Sequence, residues 1–358
     1  MNDNDIRFSI NKLSSQKIDD EMFELNISKA KSRIRKLYNK CGNDIYLSFS
    51  GGKDSTVVLA LIKMVMEEGL PIRCPAVFVD TKIELDVTKK FVLWVKNNYY
   101  KDTIIVYPNK SFAKVISEYG KPLRSKRKSE AMTYLQKNRN LKSGRYLFDN
   151  TIKRSQKLRL ANKDLHFAHE NFDIKVSNKC CDVLKKEPFN TYTKENNILG
   201  YFDGQRAFEG GARELNYIRK IQKGNSPCTS VAKNGTISIS PIIDWNDNMI
   251  ELFIERYKVP LSEAYTVYGN DRTGCFLCPY SVNLANNLYT LFKYEPQHYK
   301  AAMHWLKDVY IAQNTKLPFD TKYEYDRVIK WKESYTRMRD EMIAKYRPGA
   351  VISKKDLP

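Results

Sequence analysis

One stretch constrains the fold more than any other: Tyr46-Leu-Ser-Phe-Ser-Gly-Gly-Lys-Asp-Ser-Thr56. The short apolar run from Ile45 to Phe49 predicts a buried strand. Ser50-Gly51-Gly52-Lys53-Asp54-Ser55 predicts a sharp turn. Thr56 to Glu68 then predicts a helix that is apolar on nearly every face, through Val57, Val58, Leu59, Leu61, Ile62, Met64, Val65 and Met66. A strand, a glycine turn and a buried helix make a cradle for phosphate. Glycines let the backbone approach a ligand closely, and free N–H groups at a helix start attract anions. Ser50, Ser55 and Lys53 can add hydroxyl and ammonium donors.

The rest of the chain supplies a matching frame. Residues 18–40 predict an amphipathic lead-in helix, with Leu25, Ile27, Ala30, Ile34 and Leu37 near helical spacing. After the glycine turn, Ala76 to Asp80 predicts a strand, Leu85 to Tyr99 a helix and Thr103 to Tyr107 a strand. Ser111 is the expected cap of the next helix, and Ile198 to Phe202 reads as a further strand. Strands alternating with helices predict a doubly wound, mostly parallel α/β sheet. Ligands in such sheets sit at the carboxyl ends of strands, so Asp80 and the glycine turn are expected to face one site. Residues 121–165 interrupt the alternation as a basic insertion. Residues 283–347 are aromatic-rich, and the Trp, Tyr and Leu spacing predicts helices that cover the core. The expected division is 1–40 lead-in helix, 41–280 main domain and 281–358 helical C-terminal subdomain.

The six residues Ser50 to Ser55 are not a Walker A loop, which needs four residues between its first Gly and its Gly-Lys pair. They resemble the PP-loop, SGGKDS, of the ATP pyrophosphatase superfamily. That resemblance implies a PP-loop (HUP-like) fold and a nucleotide partner, ATP with Mg²⁺ or a sulfonucleotide, held by Ser50, Gly51, Gly52, Lys53, Asp54 and Ser55. Val79-Asp80-Thr81-Lys82-Ile83-Glu84 resembles a second segment of the family that lies near the nucleotide. It implies roles there for Asp80, Thr81 and Glu84, although an acidic helix start is also an ordinary cap.

Seven cysteines are present: Cys41, Cys74, Cys180, Cys181, Cys228, Cys275 and Cys278. The acidic start, Met1-Asn-Asp-Asn-Asp5, lacks the apolar segment of a signal peptide. The longest apolar run, near 57–66, is too interrupted to span a bilayer, so a cytoplasmic protein with no membrane contact is expected. An odd cysteine count there argues against a disulfide framework. Cys180-Cys181 and the later Cys275-Phe-Leu-Cys278 could complete a four-thiolate site for zinc or for a 4Fe–4S cluster. Adjacent cysteines suit the separate iron corners of a cubane better than one small tetrahedral ion. The constellation resembles the assimilatory adenylylsulfate reductases, in which such pairs bind one 4Fe–4S cluster beside the PP-loop.

Between the pairs, Gly204-Gln-Arg206-Ala-Phe-Glu209 with Arg213 resembles the Gly-x-Arg segment of sulfonucleotide reductases, with Gly210 where Ser is common. Arg206 is a candidate clamp for phosphate or sulfate, or else a structural salt bridge. Ile239-Ser-Pro-Ile-Ile-Asp244-Trp245 resembles the segment that opens the following helix, with Asp244 as its cap and Trp245 in the core. Tyr268-Gly-x-x-Arg272 leads into Gly274-Cys275 and places Arg272 at the ligand or the cluster. His166 and His169 read as lying on a polar helix and are an alternative ligand pair that is not favoured over the cysteines. The resemblance covers about residues 40–280 and is to the PAPS reductase-like branch of the superfamily.

Two features depart from a reductase. Reductases of this kind attack with a tail cysteine, and here no cysteine follows Cys278. Cys228, in a loop-like setting among basic residues, is the remaining candidate thiol. The formal charge is also +20, and residues 121–160 hold thirteen Lys and Arg against Glu130 and Asp149. With Tyr134, Tyr146 and Phe148 interleaved, that stretch suits tRNA or DNA; it equally suits a basic hairpin packed on the core. The combined expectation is an enzyme that adenylates a substrate with pyrophosphate release, for sulfur transfer to a nucleic acid. A separate sulfur-donor protein is a candidate partner. Lys53 would serve the leaving pyrophosphate, and Asp54, Arg206 and Cys228 are the other candidate catalytic residues. The alternatives are an adenylylsulfate or PAPS reductase and a non-catalytic module that binds nucleotide and nucleic acid.

Overall fold

The strand and helix periodicities fold into a six-stranded sheet whose order is β3-β2-β1-β4-β6-β5. The computed structural model describes residues 18–137, 160–318 and 322–347. The strands are β1 (Ile45–Phe49), β2 (Ala76–Val79), β3 (Thr103–Val106), β4 (Gly200–Phe202), β5 (Thr229–Val231) and β6 (Ile237–Ile239). All pairings are parallel except β5 with β6, an antiparallel edge. The doubly wound, mostly parallel α/β class read from the sequence is the observed one.

The described residues divide between two compact units. The first takes the chain up to Asp80, Asp86–Tyr107 and Pro188–Gly274. The second takes Thr81–Leu85, Pro108–Glu187 and the chain from Cys275 onward. These units are discontinuous, unlike the linear division expected at 40 and 280. The lead-in helix is part of the first unit because its apolar side is sheet core, and the Cys-x-x-Cys belongs with the C-terminal helices.

In the first unit, α1 (Asp20–Cys41) starts at Asp19, whose side chain accepts from the Met22 N–H. It buries Phe23, Ile27, Ala30, Ile34, Leu37 and Cys41, a stripe at helical spacing. Leu25, predicted on that stripe, is 51% exposed, and Phe23 takes the place. α2 (Lys53–Glu67) is buried through Ser55–Ile62 and Val65. These residues join β1, β2, Phe202, Ile239, Trp245 and Phe253 in one core. Each fully buried Leu, Ile or Phe contributes roughly 1.5–3 kcal/mol. α3 (Asp86–Trp94) runs into a π-helical turn at Val95–Tyr99, α4 is Gly211–Gln222, α5 is Asp247–Tyr257 and α6 is Glu263–Thr266. The cap of α5 is Asn246, accepting from Met249 N–H at 2.8 Å. Asp244, predicted for that role, instead grips Arg33 of α1 with both oxygens, at 2.6 and 2.7 Å.

In the second unit, Ser111 caps the helix Phe112–Tyr119 as expected. The helices Lys126–Gln136, Leu284–Tyr294, Pro296–Ala312 and Lys322–Tyr346 complete it. Tyr310 is fully buried and donates to the Leu277 carbonyl at 2.8 Å, and Trp305 packs against Phe112. His166 lies in a 3₁₀ stretch, Asn162–Ala168, and is 1% exposed against Phe167, Phe172 and Tyr335. It is core, and not on the polar helix read from the sequence.

Among the described residues no helix is long and apolar enough to cross a membrane. The readings of Tyr146, Phe148 and the bases between 138 and 159 lie outside the described residues.

Candidate functional site

The strand order reverses at β1: β2 and β3 lie on one side of it, β4 and β6 on the other. Open α/β sheets leave a crevice outside the carboxyl ends of the strands at such a point. Here it is a cavity of about 690 Å³ in the first unit, lined from β1 by Ser48, Ser50, Gly52, Lys53, Asp54 and Ser55. The end of β4 contributes Asp203, Gly204, Gln205 and Arg206, and Arg213, Asp247, Tyr265, Arg272 and Thr273 add to the wall.

The helix that carries the motif begins earlier than predicted, at Lys53, so Lys53-Asp54-Ser55 form its first turn. Gly52 is its cap, and its carbonyl accepts from Thr56 N–H at 3.0 Å, Ser55 Oγ at 2.9 Å and Thr56 Oγ1 at 3.0 Å. With its hydroxyl folded back on the turn, Ser55 also meets Ser50 Oγ at 3.0 Å, and Ser50 Oγ accepts from Gly52 N–H at 3.3 Å. Gly204 lets the β4 loop lie on this turn. A Cβ there would stand 2.9 Å from both the Asp54 carbonyl carbon and the Ser55 nitrogen.

Four cations line the cavity, and three are already engaged. Arg206, 3% exposed, donates from Nε to Asp54 at 2.8 Å, from Nη1 to the Trp245 carbonyl at 3.3 Å and from Nη2 to Asp247 at 2.8 Å. Its position fixes Asp54 to the start of α5. Glu209 holds both Arg213 and Arg272, the latter at 2.9 Å. Burial, with Arg272 and Arg206 close by, pulls the Arg213 pKa down. Lys53, half-buried, has no ion-pair partner among the described residues. Burial raises the Asp203 carboxyl, against hydrogen bonds from Ser240 Oγ at 2.6 Å and Gln205 N–H at 3.1 Å.

Other predicted residues stand elsewhere. Asp80 directly follows β2 in the first unit, its N–H donating to the Val106 carbonyl, and it is not among the lining residues. Thr81 and Glu84 belong to the second unit. Glu84, 3% exposed, forms a β-bridge with Cys275 and accepts from Thr81 Oγ1 at 3.0 Å, from Lys185 Nζ at 3.1 Å and from Cys275 Sγ at 3.7 Å. The backbone bridge explains the placement. Ile83 accepts from Phe276 N–H at 2.9 Å, tying the segment after β2 to the Cys-x-x-Cys turn.

The second unit gathers all four paired cysteines. Cys180 hydrogen-bonds Cys181, and its thiol is further pushed up by burial and by Cys278 and Cys275 nearby. That hydrogen bond pulls Cys181 down, aided by Lys126 and Lys185. Burial pushes the Cys278 thiol up to about 11, and raises Cys275 as well. Cys275 and Cys278 raise the Cys180 thiol while Cys180 lowers Cys181, and thiols held this close become thiolates together only beside a cation. A group of that chemistry is what a metal or iron–sulfur centre supplies, and the donor set fits one.

Cys228 opens β5, with Ser226 Oγ at 3.2 Å and Thr229 Oγ1 at 3.7 Å. It is not among the lining residues, nor is any other cysteine. Cys41 and Cys74 are buried. Sequence reasoning missed Asp203, Asp247, Tyr265 and Thr273. Asp203 had a signal, because it directly follows the apolar run of β4. Tyr265 and Thr273 had none, since their approach to the glycine turn depends on the fold.

A sequence model of the family described as "Phosphoadenosine phosphosulfate reductase domain" matches residues 44–151 and 144–281. Two uncharacterized proteins of Methanocaldococcus jannaschii are similar. One is 25% identical over 246 residues, 69% of this chain and 38% of the relative. The other is 27% identical over 263 residues, 71% of this chain and 47% of the relative. The chain thus spans less than half the length of these curated relatives. Among solved structures, phosphoadenylyl-sulfate (PAPS) reductase from Candida auris, a phosphate complex, matches with a TM-score of 0.41 and 16% identity, over 73% of this chain and 97% of that one. The U34-tRNA thiolase NcsA from Methanococcus maripaludis with its [4Fe-4S] cluster matches with a TM-score of 0.38 and 15% identity, over 87% and 86%.

Proposed function

Because the chain belongs to the phosphoadenosine phosphosulfate reductase domain family, we propose that it is a PP-loop enzyme that binds ATP in the cavity at the end of β1. It adenylates an oxygen of its substrate there, releasing pyrophosphate, as the first half of a sulfur transfer to a nucleic acid. The observation that carries this reading is Lys53. It is the cavity cation without an acidic partner among the described residues, on the first turn of a helix whose start already favours anions.

The substrate oxygen attacks the α-phosphorus, the bond to the bridging oxygen breaks, and pyrophosphate leaves with that electron pair. Lys53 stabilises the charge developing on the pyrophosphate. Ser50, Ser55 and the loop backbone position it. Mg²⁺ enters with the nucleotide. In the second half, a hydrosulfide sulfur delivered by a donor attacks the carbon that bears the adenylated oxygen, the carbon–oxygen bond breaks and AMP leaves. Cys180, Cys181, Cys275 and Cys278 would hold a 4Fe–4S cluster, whose chemistry would be to bind sulfide; zinc is the less favoured occupant, because no three of these sulfurs gather within 4.8 Å as one small tetrahedral ion needs.

The family match itself favours a second reading, reduction of a sulfonucleotide. Against it, none of the seven cysteines lines the cavity, so a bound sulfonucleotide finds no thiol of this chain among its walls. The test measures pyrophosphate released from ATP with and without added tRNA or DNA, in the wild type and in Lys53→Ala. Release that depends on nucleic acid and falls by roughly 10²–10³-fold in the variant is expected. Sulfite formed from adenylylsulfate or PAPS with a thiol donor, without acceptor-dependent pyrophosphate, would overturn the first reading.

A further inference from the structure

Two of the N–H groups at the start of α2 are covered by hydroxyls. Gly52 N–H donates to Ser50 Oγ at 3.3 Å, within the motif itself. Lys53 N–H donates to the Tyr265 hydroxyl at 3.0 Å, across a sequence separation of 212 residues. Tyr265 is on α6, in a compact turn of its own. Ser262 caps that helix, Tyr268 N–H reaches the Glu263 carbonyl and Asn270 N–H the Ala264 carbonyl. Ser262 Oγ also donates to the Val87 carbonyl at 3.3 Å, which fastens the turn to α3.

Thr273 closes the same spot from the other end of the segment. It hydrogen-bonds Tyr265, and a Cβ on Gly52 would lie only 2.7 Å from Thr273 Oγ1 and 3.2 Å from the Tyr265 oxygen. Glycine at 52 is therefore needed for the overlying segment as well as for a ligand. The stretch 262–273 presses two hydroxyls onto the backbone that the motif offers to phosphate. Both Tyr265 and Thr273 line the cavity.

We propose that Tyr265 is a displaceable cap on the phosphate cradle. Its hydroxyl takes the Lys53 N–H that a phosphoryl oxygen of the nucleotide needs, and the two compete for that donor. The cap sets the affinity threshold. A pyrophosphate group that can engage Lys53 and several backbone donors together displaces the hydroxyl, whereas a single orthophosphate, with fewer contacts, competes poorly. Tyr265 is on this account a specificity-determining residue, and the inference rests on the reading of the cavity as a pyrophosphate site.

The test is calorimetric titration of the full-length protein with pyrophosphate, and separately with orthophosphate, in wild type, Tyr265→Phe and Lys53→Ala. Phenylalanine keeps the ring and removes only the competing hydroxyl. A net hydrogen bond is worth a few-fold to about ten-fold in an equilibrium. Tyr265→Phe is thus expected to bind pyrophosphate about three- to ten-fold more tightly and to gain measurable orthophosphate binding. Unchanged or weaker pyrophosphate binding in Tyr265→Phe, with wild-type binding intact and lost in Lys53→Ala, overturns the cap and leaves the pyrophosphate site standing. No pyrophosphate binding by the wild type removes both. Thr273→Val is the companion variant, since it loosens the same cap without touching the tyrosine. Tightening in it supports the competition even if Tyr265→Phe folds poorly. Protection of the Lys53 amide from hydrogen exchange gives a second readout. In Tyr265→Phe the amide should exchange faster without ligand and regain protection with pyrophosphate, which a merely structural tyrosine would not produce.

Discussion

At the first turn of α2 a lysine stands without an acidic partner among the described residues; at the start of the helix Lys126–Gln136, Arg124, Lys126 and Lys128 are engaged. Arg124 and Lys128 both reach Asp164, at 3.0 and 2.7 Å, and Lys126 reaches Asp182 at 2.8 Å. Asp164 is 1% exposed. The two groups of bases therefore do different work. Lys53 lines the cavity with no carboxylate to neutralise among the described residues. The cations at 124, 126 and 128 neutralise carboxylates that the fold has buried, and a charge already spent in this way adds little to attraction for a polyanion.

The largest effect that can break this comparison is on stability. Asp164→Asn leaves two cations facing a neutral side chain, and removing one partner of a buried charge group is strongly destabilising. Arg124 and Lys128 retain some access to water, which softens the loss. A cost of about 3 kcal/mol is expected, read as a shift of the urea midpoint. Lys53→Ala should stay within about 0.5 kcal/mol of wild type in the same assay. Equal destabilisation of the two would mean that Lys53 is structural too.

A smaller effect comes from the same neighbourhood. Burial, outweighing Asp164 and reinforced by Arg124 and Arg339, holds the His166 pKa well below the usual imidazole range, at about 3. In the unfolded chain the ring titrates near 6.5. Between those values the unfolded state binds the proton and the folded state does not, so this contribution is complete above pH 6.5 and is lost as pH falls toward 3. About 2 kcal/mol should disappear between pH 7 and pH 5. His166→Leu, which cannot titrate, should flatten the pH dependence of the urea midpoint by that amount; an unchanged slope would mean that the ring is protonated in the folded state.

What was legible in the sequence follows from how local each feature is. The cradle is contiguous, and strand, turn and helix periods agree over Ile45 to Glu67, so its fold could be read directly. The cysteine pairs were legible as pairs because each lies within one turn. The partners of the bases were not, since Lys128 and Asp164 are 36 residues apart and Lys126 and Asp182 are 56 apart. Charge counting sees the cations and cannot see which carboxylates the fold will bury beside them. The partners of Glu84 were hidden for the same reason. A backbone bridge to Cys275, 191 residues on, sets its neighbours. Arg206 was rightly drawn to the end of β4, and only the fold shows its donors committed to Asp54, Asp247 and the Trp245 carbonyl.

The smallest predicted effect is the one that decides whether this basic helix touches nucleic acid at all. Arg127 is exposed and makes none of the ion pairs of its neighbours. Its reversal, Arg127→Glu, should therefore leave the urea midpoint unchanged. Lys126→Glu, in contrast, would set two carboxylates together at Asp182 and confound binding with folding. If the described part of the stretch contacts phosphates, Arg127→Glu weakens binding of labelled tRNA or single-stranded DNA a few-fold and lowers the salt slope by about one. If affinity and slope both stay at wild-type values, the bases at 124–128 serve the fold alone. The net charge of +20 must then act through other residues, and the contrast with Lys53 becomes complete.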